Sequence, residues 1–173
     1  MCAMFPAWKT VGLLLLLVQA PTPDIHYVPT SAGVADAMLR LAHVTSTDVV
    51  YDLGSGDGRI VIAAAKKYGA RGVGVEIDPS LVKTARKKAE SAGVADRVIF
   101  RQEDLIRTDF SDATVVTLYL STSLNMRLRT ILQRQLKPGS RIVSHRFTMG
   151  DWKPDAEQHL EGTAIYLWTI PPR

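Results

Sequence analysis

Apolar segments of strand length alternate with longer amphipathic segments along the chain from residue 25 onward. Residues 48–53 (DVVYDL) and 71–77 (RGVGVEI) are typical of buried strands, because they are short and rich in β-branched side chains. Between them, residues 59–68 have the spacing of a helix that ends at Gly69. Strands that alternate with helices in this way form βαβ units, so the pattern predicts a parallel sheet.

The remaining segments continue the same alternation. A first helix is predicted to begin at Thr30 or Ser31, either of which can cap it, and to run to about residue 43. Asp78 is predicted to cap another helix, which ends near Gly93. Further strands are predicted at 97–101, 113–120 and 141–147, a helix at 123–136, and a strand pair within 156–170 that turns at Glu161 and Gly162. The chain is therefore predicted to be a single α/β domain with a mostly parallel sheet and a C-terminal antiparallel hairpin.

The composition fits one globular domain and excludes several kinds of site. The chain has 173 residues, of which 46% are hydrophobic, and a formal net charge of +4. This mild excess indicates a solubilising surface rather than a nucleic-acid-binding tail. Cys2 is the only cysteine, so an internal disulfide and a thiolate zinc cluster are both excluded. The histidines are scattered along the chain, and we expect no metal site.

Residues 1–24 do not share the pattern of the domain. A positive charge precedes an apolar run at residues 11–18, and the small residue Ala20 follows, an order that is similar to a secretory leader. Pro21 directly after Ala20 disfavours cleavage, and the run is short for a spanning helix of about 20 residues. An uncleaved membrane anchor and a later start at Met4 are the alternatives, so the compartment stays open.

A glycine-rich loop, residues 52–58 (DLGSGDG), overlaps the end of the first strand. Glycines between a strand and a helix let the backbone approach a ligand more closely than a Cβ would allow. A dinucleotide fingerprint would need a third glycine where this chain has Arg59. Asp52 and Asp57 would repel a pyrophosphate but attract a cationic ligand, such as the ammonium and sulfonium groups of S-adenosylmethionine. The alternative is a plain strand–turn–helix whose glycines serve geometry only.

Two further acidic residues follow the next strands, at the same edge of the predicted sheet. Glu76 ends the second strand, where its two oxygens can accept both hydroxyls of a ribose. Asp104 follows the third strand, where a carboxylate can accept from the amino group of an adenine. Each acid alone would also fit a cap or a surface position. Together with Asp52, they predict a nucleoside-binding edge.

The glycine loop and the segments around it resemble one family of enzymes. Residues 52–58 and 73–76 (VGVE) are similar to the cofactor site of class I S-adenosylmethionine-dependent methyltransferases. The longer segment 51–65 (YDLGSGDGRIVIAAA), with 27–30 (YVPT) upstream, resembles the small protein-lysine methyltransferases that modify the ATP synthase c-subunit and the adenine nucleotide translocase, and their bacterial relatives. The resemblance covers residues 26 to about 155.

This resemblance implies a Rossmann-like methyltransferase domain at residues 25–173 that binds S-adenosylmethionine. It implies that Tyr27 and Thr30 form a lid, that Asp52, Gly54 and Gly56 hold the methionine part, and that Glu76 holds the ribose and Asp104 the adenine. Ser55, within the same loop, is a further candidate cofactor-binding residue. Thr30 can instead act only as a helix cap. Family members often carry an apolar segment before YVPT, which favours membrane association through residues 11–18, or a cytoplasmic location, over export.

The residues around the methyl acceptor are less clearly marked. Nucleic-acid amine methyltransferases have Asn/Asp-Pro-Pro-aromatic after the fourth strand, whereas this chain has residues 118–122 (LYLST), so we expect no nucleic-acid partner. Tyr119, Ser121 and Asn125 could orient an amine, and His145 could accept a proton near neutral pH. Alternatively, Tyr119 is a core aromatic, Ser121 a helix cap and His145 a satisfied polar residue.

We therefore expect a methyltransferase that uses S-adenosylmethionine to N-methylate a lysine side chain of a protein substrate. The domain is short and has no insertion that could cover a small substrate, which suits a protruding side chain of a macromolecule. A small-molecule methyltransferase and a non-catalytic cofactor-binding domain are the alternatives. Neither the substrate protein nor the oligomeric state follows from the sequence.

Overall fold

The computed structural model describes residues 28–172. The predictions for Tyr27 and for the apolar segment at residues 1–24 lie outside the described residues. Within the described part, no helix combines the length and the apolar character needed to cross a membrane.

A seven-stranded sheet forms the centre of the described chain, with the strand order β3-β2-β1-β4-β5-β7-β6. The first five strands pair in parallel, whereas β7 pairs antiparallel with both β5 and β6. The strands are β1 (Val49–Leu53), β2 (Arg71–Glu76), β3 (Val98–Gln102), β4 (Val115–Leu118), β5 (Arg141–His145), β6 (Ala156–Leu160) and β7 (Thr163–Thr169). The predicted mostly parallel sheet with a C-terminal antiparallel hairpin is confirmed.

Four helices flank this sheet in the described chain, and side-chain caps begin three of them. The helices are α1 (Ala32–Leu41), α2 (Arg59–Tyr68), α3 (Pro79–Ser91) and α4 (Thr122–Gln135). Ser31, rather than Thr30, caps α1, because its hydroxyl accepts a hydrogen bond from Val34 N at 3.2 Å. Asp78 caps α3 and Ser121 caps α4 in the same way. The cap alternative for Ser121 is thus correct, whereas the cap alternative for Thr30 is wrong.

The core has two apolar layers, one on each face of the sheet. Helices α1, α2 and α3 cover one face, and α4 together with the segment after β3 covers the other. Neighbouring residues of a strand point to opposite layers, so that Val50 belongs to the first and Val49 to the second. This alternation also decides which polar side chains at the strand ends can meet.

The fourth and fifth strands end earlier than predicted. Strand β4 ends at Leu118 instead of residue 120, because its partner β1 ends at Leu53 and the glycine loop turns away. Strand β5 ends at His145 instead of residue 147, because Arg146 adopts a left-handed backbone with φ of 68°. The residues that follow β4 and β5 therefore lie outside the strands, at the carboxyl edge of the sheet.

Gly58, directly before α2, combines a left-handed backbone with close packing against β3 and α3. Its φ is +78°, and an added Cβ would lie 2.5 Å from the ring of Phe100. Gly93 has a similar φ of +69°, but a Cβ there would meet nothing within 4 Å. We expect Gly58→Ala to lower the free energy of unfolding by roughly 2–4 kcal/mol, from backbone strain plus overpacking.

Gly93→Ala is the matched control, since it carries the backbone strain without the clash and should cost only about 1 kcal/mol. Urea unfolding of the two variants and the unsubstituted protein measures both losses. Equal losses in the two variants would show that Phe100 moves aside freely.

Candidate functional site

The strand order reverses direction between β1 and β4, and the glycine loop begins at this point. In open α/β sheets, ligands bind in the crevice beyond the carboxyl ends of the strands where the order reverses. Gly54 N and Ser55 N both donate hydrogen bonds to Val75 O, at 2.8 and 2.9 Å, so the loop closes against the end of β2. Gly54 and Gly56 have φ of 84° and 52°, a left-handed backbone that favours glycine.

Glu76 lies beside this loop and is nearly buried. Its Oε2 accepts from Gly56 N at 2.9 Å, and its Oε1 accepts from Ile77 N and Asp78 N at 2.8 and 3.0 Å. A carboxylate offers about four acceptor positions, so three are occupied by the backbone. The remaining acceptor position is on Oε2, beside the glycine loop.

Asp52 is the most deeply buried acid of the site, with a relative exposure of 3%. Thr117 Oγ1 donates to its Oδ1 at 2.7 Å, across the pair of strands where the order reverses. Burial raises the pKa of Asp52 to about 7, and the negative charges of Glu76 and Asp57 add to this rise. The carboxyl group therefore ionises less readily than an exposed aspartate, and a cation bound beside it would favour the ionised form.

Asp57 does not face the binding edge as an unpaired carboxylate, which corrects the expectation that it attracts a cationic ligand. Arg59 Nε and Nη2 donate to its two oxygens at 2.9 and 2.8 Å, and Lys88 forms a second ion pair with it. Although burial opposes ionisation, these partners hold the pKa of Asp57 well below its usual range. Asp57 thus links Arg59, the first residue of α2, to Lys88 of α3. These two cations already compensate its negative charge.

Arg59 has a second role that the sequence did not indicate. Its Nη1 donates to Thr30 O at 2.7 Å and so ties the exit of the glycine loop to the residues before α1. Thr30 is buried, and its hydroxyl lies 3.4 Å from His145 Nδ1. The only sign of this link in the sequence is that position 59 holds an arginine where a dinucleotide fingerprint has its third glycine.

Asp104 lies at the same edge, after β3, but its carboxylate is largely exposed. Its Oδ1 accepts from Ile106 N at 2.9 Å and so stabilises the turn that follows β3. Glu103 N donates to Glu76 O at 3.2 Å, which keeps this turn next to the end of β2. Asp104 Oδ2 is the acidic partner of an exposed ion pair with Arg107 Nε at 3.9 Å.

Tyr119 and His145 lie together at the ends of β4 and β5. Both point to the face that carries Asp52 and Thr117, because residues two apart in a strand share a face. Their ring centroids are 3.9 Å apart, with an angle of 33° between the ring planes. Burial and the charge of Arg146 lower the pKa of His145, so the imidazole is neutral at physiological pH and can accept a proton.

These two rings form one wall of a cavity of about 600 Å³. The cavity lies between the N-terminus of α1, the ends of β4 and β5, and the turn that joins β6 to β7. Glu161 of that turn and Arg146 also line it. The sequence indicates only a turn at Glu161 and carries no signal that marks Arg146.

Ser121 and Asn125 are not among the residues that line this cavity. The Ser121 hydroxyl accepts from Leu124 N at 3.2 Å as the cap of α4. Asn125 is completely buried, and its Nδ2 donates to Ser144 Oγ at 3.0 Å and to Phe147 O at 3.1 Å. Ser144 lies on the opposite face of β5 from His145, so Asn125 fixes the exit of β5 from the other side.

Comparisons with known proteins agree on a family. The sequence model of the ANTKMT methyltransferase domain matches residues 52–156. The chain is 40% identical over 153 residues to a protein-lysine N-methyltransferase of Saccharolobus islandicus (strain REY15A), covering 86% of this chain and 95% of that protein. It is 35% identical over 168 residues to the Xenopus laevis lysine N-methyltransferase named for the ATP synthase c-subunit, covering 91% and 72% respectively.

A solved structure is similar over most of the chain. It is described as an RNA methyltransferase from Salinibacter ruber in complex with S-adenosyl-L-homocysteine, with a TM-score of 0.83 and 63% sequence identity. The similarity covers 84% of this chain and 95% of that one. The sequence relatives and this structure thus name different acceptors, lysine and RNA.

The raised pKa of Asp52 makes the stability of the protein depend on pH. Because the folded pKa of about 7 lies above the unfolded value of 3.8, the protonated acid stabilises the fold at low pH, and this contribution is lost as the pH rises towards 7. Asp52→Asn keeps an acceptor for Thr117 and cannot ionise. We expect the variant to match the unsubstituted protein at pH 4 and to exceed its free energy of unfolding by roughly 1–4 kcal/mol at pH 8.

Urea unfolding between pH 4 and pH 8 measures this difference. Parallel stability curves for the variant and the unsubstituted protein would show that Asp52 ionises in the folded state as easily as in the unfolded chain.

Proposed function

We propose that this chain, which belongs to the ANTKMT methyltransferase family, transfers a methyl group from S-adenosylmethionine to the side-chain amine of a protein lysine. The observation that carries the proposal is the adjacency of two sites at one sheet edge. Asp52 and Glu76 surround the glycine loop, and the cavity with Tyr119 and His145 begins at the next strand ends. The lysine methyltransferases among the relatives support lysine as the acceptor.

The residues at the loop fit this cofactor on physical grounds. A buried acid with a pKa of about 7 suits a ligand that brings an ammonium group, since the ligand's charge removes the cost of ionising Asp52. Glu76 is held by backbone donors and keeps one acceptor position that suits a ribose hydroxyl. When bound, S-adenosylmethionine supplies a methyl group that is activated by the sulfonium.

We propose that each cofactor residue keeps the role that the family resemblance implied. The methionine part would be held by Asp52, Gly54 and Gly56, the ribose by Glu76 and the adenine by Asp104, with Tyr27 and Thr30 as the lid. Ser55, within the same loop, stays a further candidate cofactor-binding residue. Residues 25–173 would form the methyltransferase domain. The leader or anchor at residues 1–24 and membrane association through residues 11–18 stay predictions from the sequence.

On the acceptor side, we propose Tyr119 and His145 as the residues that act on the amine. A lysine ammonium cannot attack, because its lone pair is bound to a proton. His145 is neutral at physiological pH and would take the proton that the amine loses, at its ring nitrogen Nε2. The Tyr119 hydroxyl would orient the neutral amine. Ser121 and Asn125 receive no role here, because each is engaged in holding a helix or loop.

RNA is the second candidate acceptor, because a structural relative with 63% identity is described as an RNA methyltransferase. Residues 118–122 (LYLST) lack the Asn/Asp-Pro-Pro-aromatic segment of nucleic-acid amine methyltransferases, which argues against transfer to a base amine. A direct comparison of acceptors decides between the two.

Cofactor binding is tested by calorimetric titration of the protein with S-adenosylmethionine. We expect micromolar affinity, weakened at least about tenfold in Asp52→Asn and in Glu76→Gln, because each loses a charge-assisted contact. Asp96→Asn, at an exposed position in the turn after α3, is the matched control and should bind as the unsubstituted protein does. A folded protein that binds neither S-adenosylmethionine nor S-adenosylhomocysteine would refute the proposed function and revive a non-catalytic one.

Acceptor choice is tested by methyl transfer from radiolabelled S-adenosylmethionine to poly-L-lysine and to total RNA. We expect label on the lysine polymer only. His145→Gln should lower kcat about 10-fold to 100-fold. Protonation of His145 removes the base, so the activity of the unsubstituted protein should fall as the pH drops through the lowered pKa of that residue. In the His145→Gln variant, activity should not show this fall at low pH. Label on RNA alone would establish the second candidate.

A further inference from the structure

The turn between β6 and β7 contains a residue that does not suit its backbone. Leu160 pairs with Thr163, so Glu161 and Gly162 form a two-residue hairpin loop. Both have left-handed backbones, with φ of 51° and 73°, as a type I′ turn requires. Asn, Asp and Gly are the residues that adopt this conformation readily, whereas glutamate does so at an energetic cost. Strain of this kind at a single position suggests a function for its side chain.

The Glu161 side chain lies against the first turn of α1. Its Oε2 accepts from the hydroxyl of Ser31 at 2.6 Å. A Cβ added to Gly33 would clash with its Oε1, so glycine at position 33 lets the carboxylate take this place without moving. Ser31 and Gly33 therefore both accommodate the negative charge of Glu161, although they are far from it in the sequence.

The exposed Glu161 lines the same cavity as Tyr119 and the buried His145, and on this ground its charge is assigned to the mouth of the cavity. The β5–β7 ladder ends with the pair of His145 and Ile165, so the turn at Glu161 projects beyond the carboxyl edge of the sheet. Arg146, next to His145, brings a positive charge to the same cavity, with its guanidinium 5.8 Å from the ring centroid of Phe147. The cavity thus has a negative group at the turn and a positive group beside the proposed base.

We propose that Glu161 is a specificity residue of the acceptor site, which selects a cationic lysine side chain at the mouth of the cavity. The inference rests on the proposed function. The carboxylate attracts the lysine ammonium to the mouth. Beside the buried His145, burial and the charge of the neighbouring Arg146, which is exposed, disfavour the ammonium and favour the neutral amine, which is the form that reacts. Selection at the mouth and deprotonation inside are in this way assigned to different residues.

The test separates the charge of Glu161 from its structural contact. Glu161→Gln keeps the length of the side chain and an oxygen that accepts from Ser31, but it loses the charge. The probe is n-butylammonium chloride, titrated into the full-length protein saturated with S-adenosylhomocysteine and followed by NMR, with uncharged n-butanol as the reference ligand. We expect the dissociation constant of n-butylammonium to rise about 3-fold to 10-fold in the variant, and that of n-butanol to stay unchanged.

Asp96→Asn is the control, because Asp96 is exposed in the turn after α3 and does not line the cavity, whereas Glu157 on the same hairpin pairs with His159 of the cavity wall. It should leave the affinity for n-butylammonium unchanged. In steady-state transfer to poly-L-lysine, Glu161→Gln should raise KM at low salt with little effect on kcat, and 0.5 M salt should reduce the difference, since salt screens exposed charges.

Three results would overturn the proposal. Equal n-butylammonium affinity in Glu161→Gln and the unsubstituted protein would leave Glu161 as a structural contact only. Tighter binding of an RNA oligonucleotide by Glu161→Gln, with weaker binding by Arg146→Gln, would assign the cavity to a polyanion. An effect on n-butanol equal to that on n-butylammonium would indicate a change of shape rather than of charge. Failure of the proposed function is recognised separately, since the unsubstituted protein would then not bind S-adenosylmethionine or label lysine.

Discussion

The closure of the glycine loop against the end of β2 is the constraint on which the binding edge depends. Two backbone amides of the loop share the carbonyl of Val75, and a third donates to the carboxylate of Glu76. These bonds need the left-handed backbones of Gly54 and Gly56, which a residue with a Cβ would adopt only at a cost. They bring Glu76, at the end of β2, beside the glycine loop that follows the neighbouring strand β1. Asp52, within the strand that leads into this loop, is buried, and burial is the main cause of its raised pKa.

Two aspartates in one loop acquire opposite properties because their partners differ. Asp52 has a neutral hydroxyl partner and two negative neighbours, whereas Asp57 has Arg59 and Lys88. The first is poised to respond to a cationic ligand, and the second is a permanent anion that fixes α2 and α3. Because both flank the same glycines, only their surroundings separate a binding role from a structural one.

The short segment of Thr30 and Ser31 connects the cofactor edge with the acceptor cavity. Arg59 from the glycine loop binds the carbonyl of Thr30, whose hydroxyl lies near His145. The next residue, Ser31, caps α1 and donates to Glu161 at the cavity mouth. A change in this segment would therefore reach the loop, the proposed base and the hairpin turn together, which makes it the physical link between the two halves of the proposed reaction.

The sequence by itself determined the order of the strands and helices, the glycine loop and the place of Asp52, Glu76 and Asp104 at one edge. These features follow from local rules: periodicity, glycine conformation and the shared carboxyl edge of parallel strands. It could not show that Asp57 is already paired, because its second cation, Lys88, is 31 residues away in the chain and an ion pair between distant residues leaves no local pattern. Nor could it choose among Tyr119, Ser121, Asn125 and His145. The tertiary structure separates them, because strand alternation and strand pairing bring Tyr119 and His145 to one face and Asn125 to the other, and our proposal for the acceptor site rests on this separation.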